Sequence, residues 1–180
     1  MRFTQCSSPV SGWWDWAPCI NARHRGARVL AVDSQPWRAA RALELGADEV
    51  FTPGEGALDE LRQRTQVRGV DCALDCSGVV AAHRLCIDAA RRRGQVAFVG
   101  ECGEDTLLRV SPDLIRKGMT LVASWHYNLS HLHGIWQVVQ AQGAALDRLI
   151  SHSYPMSRVQ AAFELQTTGA CAMVVLDPWT

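Results

Sequence analysis

The chain has 180 residues, which is enough for one domain with a sizeable apolar core, or for a domain and a fragment of another. Lysine and arginine together number 18, as do aspartate and glutamate, so the net charge is zero and we expect neither a nucleic-acid partner nor an anionic membrane surface. No apolar run approaches the roughly 20 residues of a membrane span, and the N-terminus lacks the apolar core of a signal peptide.

The seven cysteines are scattered, form no C-x-x-C motif, and are odd in number, which does not suit a disulfide framework. We interpret them as mostly buried thiols in a reducing cytoplasm. Cys72 and Cys76 face one side of a predicted strand, with too few further ligands for a metal ion. The sequence therefore predicts a cytoplasmic protein whose cysteines pack rather than bind zinc.

Residues 1–20 are rich in tryptophan and show no period of a helix or strand, so we predict an irregular segment. From Arg28 onward, predicted strands and helices alternate, which is typical of an α/β protein with a parallel sheet. The predicted strands are Val29–Asp33, Val50–Phe51, Val70–Cys76, Gln95–Val99, Met119–Ser124, Ile150–Tyr154 and Met173–Leu176. The predicted helices run from Ser34 to Leu45, from near Leu58, from Val79 to Arg92, after Leu132, and after Ser157.

Asp33 ends the first apolar strand and is the strongest candidate for a binding residue. At this place in a dinucleotide-binding βαβ unit, a carboxylate accepts hydrogen bonds from the adenosine ribose and repels an NADP 2′-phosphate, which favours NAD. Arg38 lies one turn into the next helix and is placed to reach the same ribose. For both residues the alternative is an ordinary solvated charge.

Two glycine turns follow later strands, at Cys76, Ser77 and Gly78 and at Val99 and Gly100. Open parallel α/β sheets bind ligands beyond the carboxyl ends of their strands, and glycine lets the backbone approach a ligand closely. We therefore predict that these five residues line a cofactor. The alternative is a pair of strand-to-helix turns without a ligand.

Three histidines, His126, His131 and His133, lie close together beside Trp125 and Tyr127. Their spacing does not fit a helical zinc pair, so we interpret them as surface or loop histidines. The sequence has neither a G-x-S-x-G motif nor a convincing Cys/His pair for nucleophilic catalysis. We therefore predict no catalytic and no metal-ligating residue in this chain.

Several stretches together carry a family resemblance. They are Gly26–Asp33, Ala42–Asp48, Gly69–Gly78, Gly94–Gly100 and the tail Val159–Pro178. In order and spacing they resemble the C-terminal, cofactor-binding half of the zinc-dependent medium-chain alcohol dehydrogenase family, over about residues 21–179. The resemblance implies a Rossmann-type doubly wound parallel sheet over residues 21–125. It also implies a segment, residues 126–180, that in the family returns to the catalytic domain.

The resemblance also implies roles for particular residues. Asp33 and Arg38 would hold the adenosine ribose, and the backbone of Cys76–Gly78 and Val99–Gly100 would line the nicotinamide side. The strand near Leu121–Trp125 looks like the edge through which such enzymes form homodimers. The family transfers hydride between a small alcohol or polyol and NAD.

Three departures from the family limit what we expect of this chain. The family carries a zinc-binding catalytic domain before this region, and this sequence has no matching zinc ligands. The stretch Val10–Pro18 has no G-x-G-x-x-G, so we predict a fold incomplete at its first strand and glycine loop. Met173 stands where the family usually has a lysine near the pyrophosphate. NAD binding should therefore be weak or lost, and the chain should have no dehydrogenase activity alone.

The missing loop has a possible explanation in the genetic code. The run Trp13-Trp14-Asp15-Trp16 must be encoded TGG TGG GAY TGG, which reads Val-Gly-Leu-Gly when shifted by two bases. The same frame, extended upstream, permits a first strand and a full phosphate loop. Such a loop is expected roughly 20 residues before Asp33. We hypothesise that about the first 20 residues of the chain, which include this position, are translated out of frame.

The sequence therefore favours a fragment of an alcohol or polyol dehydrogenase. One alternative is a non-catalytic relic that binds NAD or oligomerises. Another is a Rossmann-like methyltransferase, which also places an acid after its second strand but fits the Leu45-Gly46-Ala47-Asp48 helix end and the tail less well.

Overall fold

The computed structural model describes the backbone of residues 2–6 and all of residues 16–125 and 127–180. Within them, six parallel strands form one sheet in the order β3-β2-β1-β4-β5-β6. The strands are β1 (Arg2–Cys6), β2 (Arg28–Val32), β3 (Glu49–Phe51), β4 (Val70–Asp75), β5 (Ala90–Phe98) and β6 (Thr120–Ala123). This strand order is that of a doubly wound dinucleotide-binding sheet, so the predicted fold class is confirmed.

The first strand departs from the sequence prediction. Residues 2–6 were expected to be irregular and the sheet incomplete at its first strand, yet β1 lies at the centre of the sheet. Its residue Thr4 is opposite Leu30 on one side and Ala73 on the other. The sequence of β1 has no apolar run, and pairing with two neighbouring strands outweighs this weak local preference. The predicted irregular segment is also wrong at its end, because a helix begins at Ala17. The predicted loss of the phosphate loop concerns Val10–Pro18, of which residues 10–15 lie outside the described residues.

Helices cover both faces of the sheet. They are α1 (Ala17–His24), α2 (Pro36–Glu44), α3 (Ala57–Arg64), α4 (Val80–Ala89), α5 (Leu132–Asp147) and α6 (Val159–Thr167). Alternate residues of β2 point to opposite faces, so Leu30 packs in the cluster with α3 and α4. Val29 packs in the other cluster, with α1 and α2. The sheet is therefore buried between two apolar layers, as its continuous apolar strands predict.

Helix α4 ends three residues earlier than predicted. The sequence pattern extended this helix to Arg92, but Ala90 is already extended (φ −65°, ψ 133°) and begins β5. Gly69 explains the early end, because a Cβ there would lie 2.5 Å from the carbonyl oxygen of Ala89. The close approach of the β4 backbone turns the chain into the sheet, so Arg91 lies on β5 rather than on a helix.

The C-terminal segment forms a second, smaller sheet. Strands β7 (Ile150–Pro155) and β8 (Met173–Asp177) run parallel and are connected through α6. Both strands were predicted from the sequence and are confirmed. Leu149 and Ala172 are buried in the apolar cluster of α1 and α2 and join this segment to the large sheet. Within the described residues, none of the helices has the length and apolar character to cross a membrane.

Candidate functional site

The carboxyl ends of the parallel strands lie along one edge of the large sheet, and the predicted site residues lie there. Asp33 follows β2, residues 76–78 follow β4, and residues 99–100 follow β5. Since β1 lies between β2 and β4, these residues form two groups on either side of the central strand. Ligands of open parallel α/β sheets bind at this edge.

Asp33 and Arg38 form a buried ion pair. The Arg38 Nε donates to Asp33 Oδ2 at 2.9 Å, and both side chains are only 1% exposed. The other carboxylate oxygen, Oδ1, accepts from the backbone N–H of Gln35 at 2.9 Å, which places Asp33 at the start of α2. Burial lowers the pKa of Arg38 to about 10, so the guanidinium still carries its charge at neutral pH. The sequence predicted that Asp33 and Arg38 reach the same ribose. In the structure the two side chains form an ion pair with each other.

Trp16 lies over this ion pair. The Arg38 guanidinium carbon is 4.9 Å from the centre of the Trp16 ring, in a cation–π contact, and Trp16 is 1% exposed. Trp37 packs edge-on against Trp16 with ring centroids 5.8 Å apart. The indole therefore packs on the guanidinium that pairs with Asp33. The sequence prediction missed this residue, because it treated the tryptophan-rich segment as irregular.

Asp75 holds the turn after β4. Its buried carboxylate accepts hydrogen bonds from the Ser77 N–H at 3.1 Å, the Ser77 hydroxyl at 2.5 Å and the Gly78 N–H at 3.0 Å. Its carbonyl oxygen accepts from the N–H groups of Val99 and Gly100 at 2.9 and 3.2 Å. One residue therefore fixes four of the five predicted cofactor-lining positions. An acid two residues before Ser-Gly is a turn signal in the sequence that the prediction did not use.

His83 links this turn to the loop after β5. Its Nε2 lies 3.1 Å from Asp75 Oδ2, and its Nδ1 lies 2.7 Å from the Thr106 hydroxyl. The ring is 7% exposed and packs edge-on against Phe98. Asp75, His83 and Thr106 thus form a chain of hydrogen bonds from β4 through α4 to the loop of residues 99–109. None of the three was a predicted site residue.

The two glycine turns touch each other. A Cβ on Gly78, where φ is +66°, would lie 1.8 Å from the Glu101 carbonyl oxygen, and one on Gly100 would lie 2.2 Å from the Gly78 nitrogen. The sequence prediction attributed these glycines to close approach of a ligand. In the structure, contact between the two loops is sufficient to require them. That a cofactor also approaches these two glycines stays a prediction.

The remaining sequence candidates are histidines and cysteines. His131 and His133 are exposed, as predicted, and His126 lies outside the described residues. Cys72 and Cys76 share one face of the sheet, as predicted, and line an apolar cavity of about 870 Å³ between α1 and α5. No group of three or more His, Cys, Asp or Glu side chains able to hold a metal ion occurs in the described part of the chain.

Comparison with known proteins places these features in a family. Residues 19–141 match the family model described as zinc-binding dehydrogenase. The chain is 29% identical over 158 residues to the uncharacterized zinc-type alcohol dehydrogenase-like protein YphC of Escherichia coli strain K12, covering 87% of this chain and 44% of that protein. It is 30% identical over 166 residues to an L-threonine 3-dehydrogenase of Saccharopolyspora erythraea, covering 91% of this chain and 48% of that protein.

A solved structure agrees with these sequence matches. An alcohol dehydrogenase zinc-binding domain protein from Burkholderia ambifaria superposes with a TM-score of 0.85 at 30% identity, covering 97% of this chain and 48% of that one. The chain thus spans about half the length of the curated relatives it matches.

Proposed function

The chain belongs to the zinc-binding dehydrogenase family, and we propose that it is the NAD-binding half of a dehydrogenase acting on a small alcohol or polyol. The observation that carries the proposal is Asp33, an acid at the carboxyl end of β2 in a sheet of order β3-β2-β1-β4-β5-β6. A carboxylate there accepts hydrogen bonds from an adenosine ribose. Bound NAD would supply the hydride acceptor for alcohol oxidation.

The ion pair of Asp33 with Arg38 supports NAD over NADP. Arginine near this acid is a usual partner of the NADP 2′-phosphate. Here the Arg38 guanidinium is buried against Asp33, and its charge is compensated there. The pair therefore offers no uncompensated positive charge to a 2′-phosphate.

Access to Asp33 sets the expected affinity. The residues fit a ribose in type and position, but the Asp33 carboxylate is buried and its cation, Arg38, stacks on Trp16. Ribose binding therefore requires these side chains to move, and the free-energy cost of that movement is subtracted from the binding free energy. We propose that NAD binding by the chain in this conformation is weak.

Catalysis needs groups beyond these residues. In the family a zinc ion polarises the substrate alcohol, and we propose that its ligands, and most substrate contacts, come from a zinc-binding domain that precedes this region in such enzymes. Relatives named for threonine and sorbitol suggest a hydroxyl-bearing small molecule as substrate. We therefore expect this chain alone to bind cofactor without oxidising alcohols, and we place it in the cytoplasm because its described cysteines are free thiols.

A second candidate function is oligomerisation. Strand β6 is an edge of the large sheet, and apolar side chains beside it are exposed, among them Val122 (41%), Trp125 (74%) and Leu129 (77%). An exposed strand edge with apolar neighbours pairs readily with a second copy. We propose a homodimer through residues 121–125, which size-exclusion chromatography with light scattering would detect.

A titration tests the cofactor proposal. NADH is added to the purified chain while quenching of tryptophan emission is followed, and Asp33→Asn is compared with Asp59→Asn on the exposed surface of α3. We expect weak saturable binding that Asp33→Asn removes and Asp59→Asn leaves unchanged. Equal binding by both variants would contradict the ribose assignment. Reduction of NAD by the chain with any alcohol and added zinc would contradict the proposal that the zinc ligands come from a separate domain.

A further inference from the structure

The opposite edge of the large sheet, where its strands begin, carries an arginine-rich bulge. Val70 of β4 pairs with Ala90 of β5, and Cys72 pairs with Gln95. Residues 91–94 of β5 therefore face the single residue Asp71 of β4. Bulges re-aim side chains and are concentrated near binding sites. Three of the four bulge residues are arginines, and the sequence pattern had placed two of them, Arg91 and Arg92, on a helix instead.

The bulge gathers guanidinium groups around one carboxylate. Asp71 accepts from Arg68 Nη2 at 2.6 Å and from Arg91 Nε at 2.5 Å, and its side chain is 10% exposed. Arg91 Nη1 also donates to the Arg92 carbonyl oxygen at 2.6 Å. Arg68 and Arg91 therefore have fixed positions and keep further N–H donors for another acceptor.

Arg93 adopts a backbone conformation that disfavours most side chains. Its φ is +56°, in the left-handed region where glycine is the preferred residue. Its backbone N–H donates to the Lys117 carbonyl oxygen at 2.8 Å, which fixes this conformation. Among the described residues, its guanidinium has neither a hydrogen bond nor an ion pair. Costly backbone conformations that persist are concentrated at functional sites.

These residues line a small cavity. It has a volume of about 430 Å³, and its walls are Arg68, Asp71, Cys72, Arg91, Arg93 and Gln95. Three guanidinium groups against one carboxylate give a local charge of about +2, although the whole chain has no net charge. The planar, multi-donor guanidinium matches phosphate oxygens in pairs. We propose that this cavity binds a small molecule bearing a diphosphate group.

The diphosphate is favoured over a single carboxylate for two reasons. A diphosphate carries enough negative charge to balance the local positive charge, and it has several oxygens to satisfy three arginines that approach from different chain segments. The cavity also lies at the edge of the sheet opposite Asp33, so the site goes beyond the proposed NAD function and is independent of it. The source of the group is either inorganic diphosphate or a nucleoside diphosphate.

Isothermal titration with inorganic pyrophosphate tests the site. The key variant is Arg93→Gly, which removes the guanidinium and suits the left-handed backbone. The matched control is Arg148→Ala, which removes one exposed positive charge at the end of α5, outside the cavity. We expect a Kd of about 1 mM or below for the wild type and for Arg148→Ala. We expect Arg93→Gly to weaken binding about tenfold or more while raising Tm by about 2–4 °C.

The outcomes separate the proposal from its rivals. ADP binding more than tenfold tighter than pyrophosphate would identify a nucleotide, and equal affinities would identify the diphosphate alone. Both results support the site if they depend on Arg93. No pyrophosphate binding by the folded wild type, or binding that Arg93→Gly leaves unchanged, would overturn it. Since Asp33 is intact in every variant, loss of NADH binding in the earlier titration leaves this result unaffected.

Discussion

Two buried acids at the same edge of the same sheet have different partners. Asp33 ends β2, and its partners include the Arg38 side chain and the backbone N–H of Gln35. Asp75 ends β4 and is held by two backbone N–H groups, a hydroxyl and an imidazole. Both are almost completely excluded from solvent, at 3% and 0% exposure.

The difference shows which acid is able to bind a ligand. The partners of Asp75 are the turn it organises, so a ligand gains access to its carboxylate only if the turn unfolds. One partner of Asp33 is the long side chain of Arg38, and we expect it to change rotamer without unfolding of the sheet. We therefore assign Asp33 to cofactor binding and Asp75 to positioning of the loops.

The largest effect is expected at the ion pair. Arg38→Ala leaves the Asp33 carboxylate buried without its cation, which typically costs about 3–5 kcal/mol. The free energy of unfolding in urea measures this loss. Arg23→Ala is the control, because its ion pair with Asp48 is largely exposed and should contribute at most about 1 kcal/mol. Similar losses for both variants would show that Asp33 is already hydrated, and the contrast with Asp75 would disappear.

A smaller loss is expected at the turn. Asp75→Ala removes the acceptor for the N–H groups of Ser77 and Gly78. Both residues are half-buried, so water partly replaces the lost hydrogen bonds in the variant, and we expect the free energy of unfolding to fall by about 2–3 kcal/mol. Hydrogen exchange should accelerate at the Gly78 and Gly100 amides, because both depend on this turn. If Asp75→Ala instead weakened NADH binding with no loss of stability, Asp75 would be a ligand contact and the assignment would be reversed.

The smallest effect is expected at His83. His83→Gln retains one of two side-chain hydrogen bonds, so the variant should lose about 1 kcal/mol. Amide exchange should increase near Thr106, while the Asp33 side of the edge should remain unchanged. His131→Gln, at an exposed histidine, should have no effect on either. Increased amide exchange at Gln35 in His83→Gln would show that the residues around Asp33 and those around Asp75 are coupled.

Most strands and helices follow from the sequence because the strands are short runs between helices of clear period. The buried, apolar β2 is the clearest example, and the family match decides against the methyltransferase alternative. β1 was missed because its five residues form no apolar run, and pairing with β2 and β4 on its two sides stabilises it. The end of α4 was missed because it is set by the backbone of Gly69, 20 residues earlier.

Residues of the candidate site were predictable only where their position in a strand or helix indicates a chemical role. Asp33 stands at the end of an apolar strand, and its position alone pointed to a ribose. Its burial with Arg38 depends on contacts that no local pattern encodes. The hypothesis that residues 1–20 are out of frame remains a prediction, since residues 7–15 lie outside the described chain, and resequencing of the coding DNA tests it.

The most direct test compares NADH binding by the wild type, Trp16→Ala and Trp37→Ala. Trp16→Ala removes the indole that stacks on Arg38, the partner of Asp33, whereas Trp37→Ala removes the indole that packs edge-on against Trp16. With folding verified by circular dichroism, we predict at least about tenfold tighter NADH binding for Trp16→Ala, equivalent to about 1.4 kcal/mol, and little change for Trp37→Ala. The gain should disappear when Asp33→Asn is added. Unchanged or weaker binding by folded Trp16→Ala would contradict the account of Asp33 as a buried ribose site.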